Sequence, residues 1–300
     1  MNDSERELVR FVCDGDIKKA QQQVRTLLNG MTAKRDVTFQ QNMLRKLDSK
    51  AMNLLELPYN LKELLIAEDT ENFPMRKFVL REDERAVVER ILRVLKASEM
   101  LSELGIEYLP ALMLYGESGG GKTMLARYIA HRANLPFIYV RFSSIVSSYL
   151  GSTQSNIAKV FEYARSSPCV LCFDEIDAVG MARGQKNDVG EMNRIVIALM
   201  QEMDRLPNNI IIIGTTNRFD RLDPALIRRF PIRHEVLPMS KEDAVALARK
   251  FFRYCGAGEP AEGAKEWCLS NFGEAAPASL VVSKCTDWVI ERVMDGCHGK

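Results

Sequence analysis

The stretch Gly116-Glu117-Ser118-Gly119-Gly120-Gly121-Lys122-Thr123 constrains this chain more than any other. It reads G-x-x-x-x-G-K-T, the P-loop pattern. An apolar run, Ala111 to Tyr115, precedes it, and a helix-like run, Met124 to His131, follows it. That strand–loop–helix setting separates a working phosphate loop from a chance Gly-rich turn. Glycines let successive backbone N–H groups turn inward toward phosphate oxygens, and the helix N-terminus adds its positive end. Lys122 can reach the β- and γ-phosphates of a nucleotide, and the Thr123 hydroxyl can hold Mg²⁺. A nucleoside triphosphate with Mg²⁺ is therefore the expected ligand.

A chain of 300 residues is long enough for one large domain plus a smaller one. Its net charge of +1 argues against a surface built mainly to bind nucleic-acid backbones. No apolar run is long enough to span a bilayer, and residues 1–10 lack the charged-then-apolar design of a signal peptide. The seven cysteines are scattered, which fits reduced thiols in the cytoplasm. Cys169 and Cys172 have C-x-x-C spacing, but they sit in an apolar run with no second Cys/His pair nearby, so core packing is the better reading.

Three segments follow from the periodicity. Residues 1–75 read as a helical N-terminal segment and linker. Leu8 to Leu28 and Phe39 to Leu55 carry two amphipathic runs, and a short strand is expected at Phe78-Val79-Leu80. Residues 76–238 read as an α/β domain. A helix over 82–104 precedes strands at 111–115, 137–141, 169–173, 210–214 and 234–237, with helices between them. That alternation predicts a parallel five-stranded sheet flanked by helices. Residues 239–300 read as a small helical domain with helices over 241–254, 264–271 and 277–294, the first capped by Ser240.

Further stretches carry chemistry. Cys169 to Phe173 is an apolar strand ending in Asp174-Glu175, about fifty residues after the P-loop. There Asp174 can hold Mg²⁺ and Glu175 can act as general base on the attacking water. Ile210 to Gly214 runs into Thr215-Thr216-Asn217, which puts Asn217 within reach of a γ-phosphate. Asp223 to Phe230 ends in Arg228-Arg229. Such a pair is ordinary surface charge in most proteins, and a set of arginine fingers in ring ATPases.

In order and spacing these stretches resemble the AAA branch of the AAA+ ATPases over residues 78–294, with an Arg-Arg-Phe ending most similar to the katanin and spastin group. The resemblance implies a wedge-shaped ATPase domain, a helical lid and a homo-hexamer with active sites between subunits. It implies nucleotide contacts from Gly116, Ser118, Gly119, Gly120, Gly121, Lys122, Thr123 and Met124, and from Ala278 in the lid. It implies metal contacts from Thr123 and Asp174, and catalytic roles for Asp174, Glu175, Asn217, Arg228 and Arg229. Tyr149-Leu150-Gly151 falls where the family has an aromatic–hydrophobic–Gly pore loop that grips a substrate polypeptide, and Ala182 to Asp188 looks like the second pore loop. The Walker A filling, Glu-Ser-Gly-Gly, departs from the common Pro-Pro-Gly-Thr, and no upstream Gly-Gly motif marks the adenine side.

The resemblance implies an ATP-driven protein remodeller or unfoldase that pulls a partner polypeptide through a ring. The substrate or adaptor is a protein: a folded regulatory protein such as a HORMA-domain protein, a protease's client or a complex to be taken apart. Two other classes compete. One is a nucleic-acid-acting AAA+ loader, disfavoured by the near-neutral charge and the Tyr149 loop. The other is an ATP-dependent regulatory switch that does not thread, disfavoured by an intact Glu175 and the paired arginines.

Overall fold

The computed structural model describes residues 3–13, 17–30, 57–106, 108–146, 153–166, 168–180, 189–256, 258–260 and 262–294. The pore-loop residues Tyr149, Leu150 and Gly151, the stretch 182–188, the apolar run from Phe39 to Leu55 and the tail 295–300 lie outside the described residues. The chain divides into two units, Met1–Glu56 and Leu57–Lys300.

In the first unit, α1 (Asp3–Cys13) and α2 (Ile17–Asn29) pack against each other. Ala20 and Leu28 are buried, and the Gln23 amide donates to Glu7 Oε2 at 3.1 Å.

The second unit opens with β1 (Leu65–Glu68) and the long α3 (Glu82–Glu103). Then come β2 (Ala111–Tyr115), α4 (Lys122–Ala133), β3 (Phe137–Val140), α5 (Phe142–Val146) and α6 (Thr153–Arg165). They are followed by β4 (Val170–Phe173), α7 (Asp177–Gly180), α8 (Val189–Met203), β5 (Ile211–Thr216), α9 (Pro224–Arg228) and β6 (Ile232–Glu235). The sheet order is β1-β3-β4-β5-β2-β6. All neighbours from β3 to β6 pair in parallel, and β1 pairs with β3 in the antiparallel sense.

The five expected parallel strands are present, and β1 is a sixth that the sequence pattern did not reveal. It is short, lies at the sheet edge and ends in charge, as edge strands do. Its Glu68 takes a bidentate ion pair from Arg127 of α4, at 2.7 and 2.9 Å. The strand expected at Phe78–Leu80 does not form. Phe78 is extended, but its carbonyl accepts from Lys250 Nζ at 3.0 Å rather than from a neighbouring strand. Its ring is buried against Phe73 and Tyr128.

The central strands are buried on both faces, as a parallel sheet under helices must be. Leu112, Leu114, Val170, Cys172, Ile211 and Ile213 face Leu125 and Ile129 of α4 and Val88 and Ile91 of α3. Alternate residues turn to the other face. There Phe161 of α6 stacks on Phe173 at 5.6 Å. Cys169 and Cys172 are free and fully buried, and burial pushes the Cys169 thiol up to about 12 and the Cys172 thiol well above its ordinary value. They are core residues, with no thiolate to offer a metal.

Beyond β6 the chain makes β7 (Met239–Ser240), α10 (Lys241–Cys255), α11 (Gly263–Asn271), β8 (Ala275–Ala276) and α12 (Ala278–Met294). The Ser240 hydroxyl accepts from Asp243 N at 3.1 Å, the cap expected for α10 and worth about 1 kcal/mol. Phe252 fills the core between Trp267 and Trp288, with ring centres 5.4 and 4.8 Å away. The two-residue ribbon β7–β8 is an addition to the expected helices. Ribbons this short carry no periodicity to read.

Candidate nucleotide site

The P-loop leaves β2 through residues with positive φ: Gly116 at 135°, Gly119 at 78° and Gly121 at 104°. Space forbids a side chain at two of them. A Cβ on Gly116 would stand 2.4 Å from Val236 O, and one on Gly119 2.3 Å from Ser279 Oγ. The loop is thus pressed between the end of β6 and the first turn of α12, where Ser279 N donates to Gly119 O at 3.1 Å. The N-terminus of α4 has no side-chain cap. Its first N–H groups are left for an anion.

Lys122 is 8% exposed, and its ammonium has three acceptors: Gly116 O at 2.9 Å, Glu117 O at 2.8 Å and Asn217 Oδ1 at 2.6 Å. Burial lowers its pKa from 10.5, while Asp174, Asp177 and Glu175 pull the other way. Asn217 is therefore held against the P-loop lysine.

Asp174, at the end of β4, is held by two hydroxyls. The Thr123 hydroxyl donates to its carboxylate at 3.1 and 3.3 Å, and the Thr215 hydroxyl donates to Oδ1. Burial, with the Asp174 charge next, pushes the nearby Tyr139 phenol up to about 12.

Glu175 is exposed at the cleft, and its φ of 53° lies in the left-handed region. Such a backbone costs a non-glycine residue about 1–3 kcal/mol. Its N–H donates to Thr215 Oγ1 at 3.2 Å, and the next N–H, of Ile176, donates to Thr215 O at 2.9 Å. These bonds hold the turn that lifts the Glu175 carboxylate out of the strand.

The cleft has a volume of about 510 Å³, ordinary for a small-molecule site. Ser118, Gly119, Gly121, Lys122, Thr123, Met124, Asp174, Glu175, Asn217 and Ala278 line it. Gly116 and Gly120 shape the loop without lining the cleft, each with Val236 at its back. Lys77, Thr215, Thr216, Ser279, Val282 and Ser283 line it as well and were not read from the sequence. Val282 is one helical turn beyond Ala278, so the helix pattern held that signal. Lys77 had none.

The donors fit the expected ligands. Positive-φ glycines and an uncapped helix suit phosphates. A hydroxyl and one carboxylate, Thr123 and Asp174, are hard oxygen donors of the kind that hold Mg²⁺ when phosphates and waters supply the rest. Among the described residues, no group of three or more His, Cys, Asp or Glu forms a separate metal cage.

Arg228 and Arg229 lie elsewhere. They line a second hollow with Tyr108, Leu109, Asp204 and Asn208. Arg229 makes a forked contact with Asp204, at 3.0 and 3.3 Å, and donates to Ala225 O at 3.0 Å. Arg228 is exposed, with Nε 3.3 Å from Pro224 O. The described residues lining the Lys122 cleft include no arginine.

A phosphate cradle, a hard-oxygen pair and an exposed carboxylate under a helical lid make a P-loop ATPase domain. Residues 112–237 match the family model described as "ATPase family associated with various cellular activities (AAA)". Among curated proteins, the chain is similar to human "Peroxisomal ATPase PEX6", 36% identical over 57% of this chain and 18% of the relative. It is similar to the protein of that name from Schizosaccharomyces pombe, 38% identical over 71% of this chain and 23% of the relative. The protein of that name from Arabidopsis thaliana is 32% identical over 66% of this chain and 20% of the relative. Residues 112–237 are thus an ATPase domain of the AAA type. The chain spans about a fifth of the length of the curated relatives it matches.

Proposed function

We propose that this chain is an ATP-driven protein remodeller that works as a homo-hexameric ring. ATP sits in the cleft with its phosphates on the P-loop and Lys122. Thr123 and Asp174 hold Mg²⁺, which when bound neutralises phosphate charge. Glu175 takes the proton of the attacking water, and Asn217 orients that water or the γ-phosphate. Met124, Ala278 and Val282 form the apolar wall away from the phosphates. The segments are an N-terminal piece up to Glu56, the ATPase domain from Leu57, which takes in the edge strand β1, to 238, and the lid, 239–300.

The observation that carries the ring is the position of Arg228 and Arg229, outside the cleft that holds Lys122 and Glu175. A second copy would bring its pair to the phosphates as fingers. Tyr149, Leu150 and Gly151 would then meet at the ring axis and grip an extended polypeptide by apolar area and ring faces. The substrate is a protein, with a HORMA-domain protein among the candidates, and the chain works in the cytoplasm. Among the described residues, no helix is long and apolar enough to cross a membrane.

The test is the mass of the Glu175→Gln chain by light scattering, with and without ATP, and the proteins it retains. ATP-dependent hexamers that hold a protein client support the reading. A chain that stays monomeric with ATP bound contradicts it.

A further inference from the structure

Thr215 and Thr216 are adjacent at the tip of β5 and hold different partners. Thr215 serves Asp174 and the Glu175 backbone, as described above. Thr216 is 1% exposed and does something separate. Its hydroxyl donates to Asp177 Oδ1 at 2.6 Å and accepts from Arg218 N at 2.9 Å. The second bond closes a small turn around Asn217, the residue between. Asp177 opens α7, directly after the Glu175 turn, and Ala178 N donates to Glu175 O at 2.9 Å. One buried hydroxyl therefore joins the element carrying the general base to the turn carrying Asn217.

The consequence is geometric. Asn217 is exposed to the cleft, and its Oδ1 accepts from Lys122 Nζ at 2.6 Å. The aim of its amide depends on the backbone at residue 217, which the Thr216 turn sets. On the far side, Phe219 stacks on Tyr115 at 4.3 Å.

We propose that Asp177 and Thr216 are positioning residues for ATP hydrolysis. Asp177 anchors the Thr216 hydroxyl, the hydroxyl fixes the turn at Asn217, and Asn217 then meets the γ-phosphate or its water at the angle set by Glu175. The inference rests on the reading that Asn217 acts on bound ATP.

The test measures kcat, KM and the affinity for a fluorescent ATP analogue in the full chain. The variants are Asn217→Ala, Thr216→Val, Thr216→Ser, Asp177→Ala and Asp177→Asn. Val keeps the shape of Thr216 and deletes the hydroxyl, whereas Ser keeps the hydroxyl. Asn keeps an acceptor oxygen at 177 without the charge. Thr216→Val and Asp177→Ala should each lower kcat about tenfold or more, because misplaced catalytic groups cost that much. Analogue affinity should stay within about twofold, the pattern of a group felt only in the transition state. The double variant Thr216→Val/Asp177→Ala should lose no more than either single one, because both break one link. Thr216→Ser and Asp177→Asn should recover most of the turnover, an outcome that general loosening of the fold does not predict.

If Thr216→Val turns over ATP at the wild-type rate while Asn217→Ala is slow, the latch is wrong and the role of Asn217 stands. If Thr216→Ser is as slow as Thr216→Val, or binding falls in step with kcat, the latch is also wrong. If Asn217→Ala hydrolyses ATP normally, the reading of Asn217 fails and takes the latch with it.

Discussion

Lys122 Nζ lies 2.6 Å from Asn217 Oδ1, a bond that joins the P-loop to the tip of β5 across 95 positions of chain. In the proposed mechanism Lys122 supplies charge to bound ATP, and Glu175 acts on water. Lys122→Ala should therefore abolish binding of a fluorescent ATP analogue. Glu175→Gln should bind it like wild type and fail to hydrolyse ATP. Near-wild-type turnover by Glu175→Gln, followed by phosphate release, would remove Glu175 from the mechanism.

His234 gives a pH prediction. It lies on β6, with Nε2 buried and 3.6 Å from Asp83 Oδ2, too far for a hydrogen bond. Burial lowers its pKa from 6.5, Asp83, Glu84 and Glu235 oppose the shift, and Arg81 adds to it. The unfolded chain thus takes up a proton below pH 6.5 that the folded chain refuses. Stability rises with pH through that window and falls as the pH drops from 6.5 toward the folded value. Melting temperature against pH should be flatter for His234→Asn than for wild type on the acid side of neutrality. Parallel curves would show that His234 does not carry this dependence.

Contiguous motifs were the legible part of this chain. Gly116–Thr123, Asp174-Glu175 and Asn217 are runs of adjacent residues whose types the chemistry dictates, and the structure gathers them in one cleft. Apolar runs such as Val170–Phe173 announce buried parallel strands in the same way. Features made by distant contact left no local trace. Nothing near Arg229 shows that Asp204 will hold it. The Thr216–Asp177 bond spans 39 positions and depends on which face of β5 the second threonine takes. The edge strand β1 escaped because four residues ending in Glu68 are too few to show a period. Phe78–Leu80 misled because its apolar side chains serve core packing, with no ladder partner for the backbone.

Tyr149 separates a threading motor from a switch. It lies in a different stretch from the phosphate groups. Tyr149→Ala should leave basal ATP hydrolysis within a few fold and abolish remodelling of a bound partner, along with any stimulation of hydrolysis by that partner. ATP turnover and partner unfolding, followed side by side, check this. Tyr149→Phe keeps the aromatic face and should retain remodelling. Remodelling at the wild-type rate by Tyr149→Ala would leave threading without its grip.

The central claim is that one catalytic site is built from two copies of the chain. Arg228→Ala/Arg229→Ala subunits keep Glu175, and Glu175→Gln subunits keep both arginines. Each should be nearly inactive alone, because a finger arginine is worth about 10³–10⁵ in rate in other NTPases. Mixed in equal amounts, they form interfaces where an intact Glu175 faces intact arginines. The direct measurement is ATP turnover of the mixture against each variant alone. The account predicts recovery of a measurable fraction of wild-type turnover on mixing. Full turnover by the arginine variant alone, or no recovery in mixtures shown to co-assemble, would contradict it.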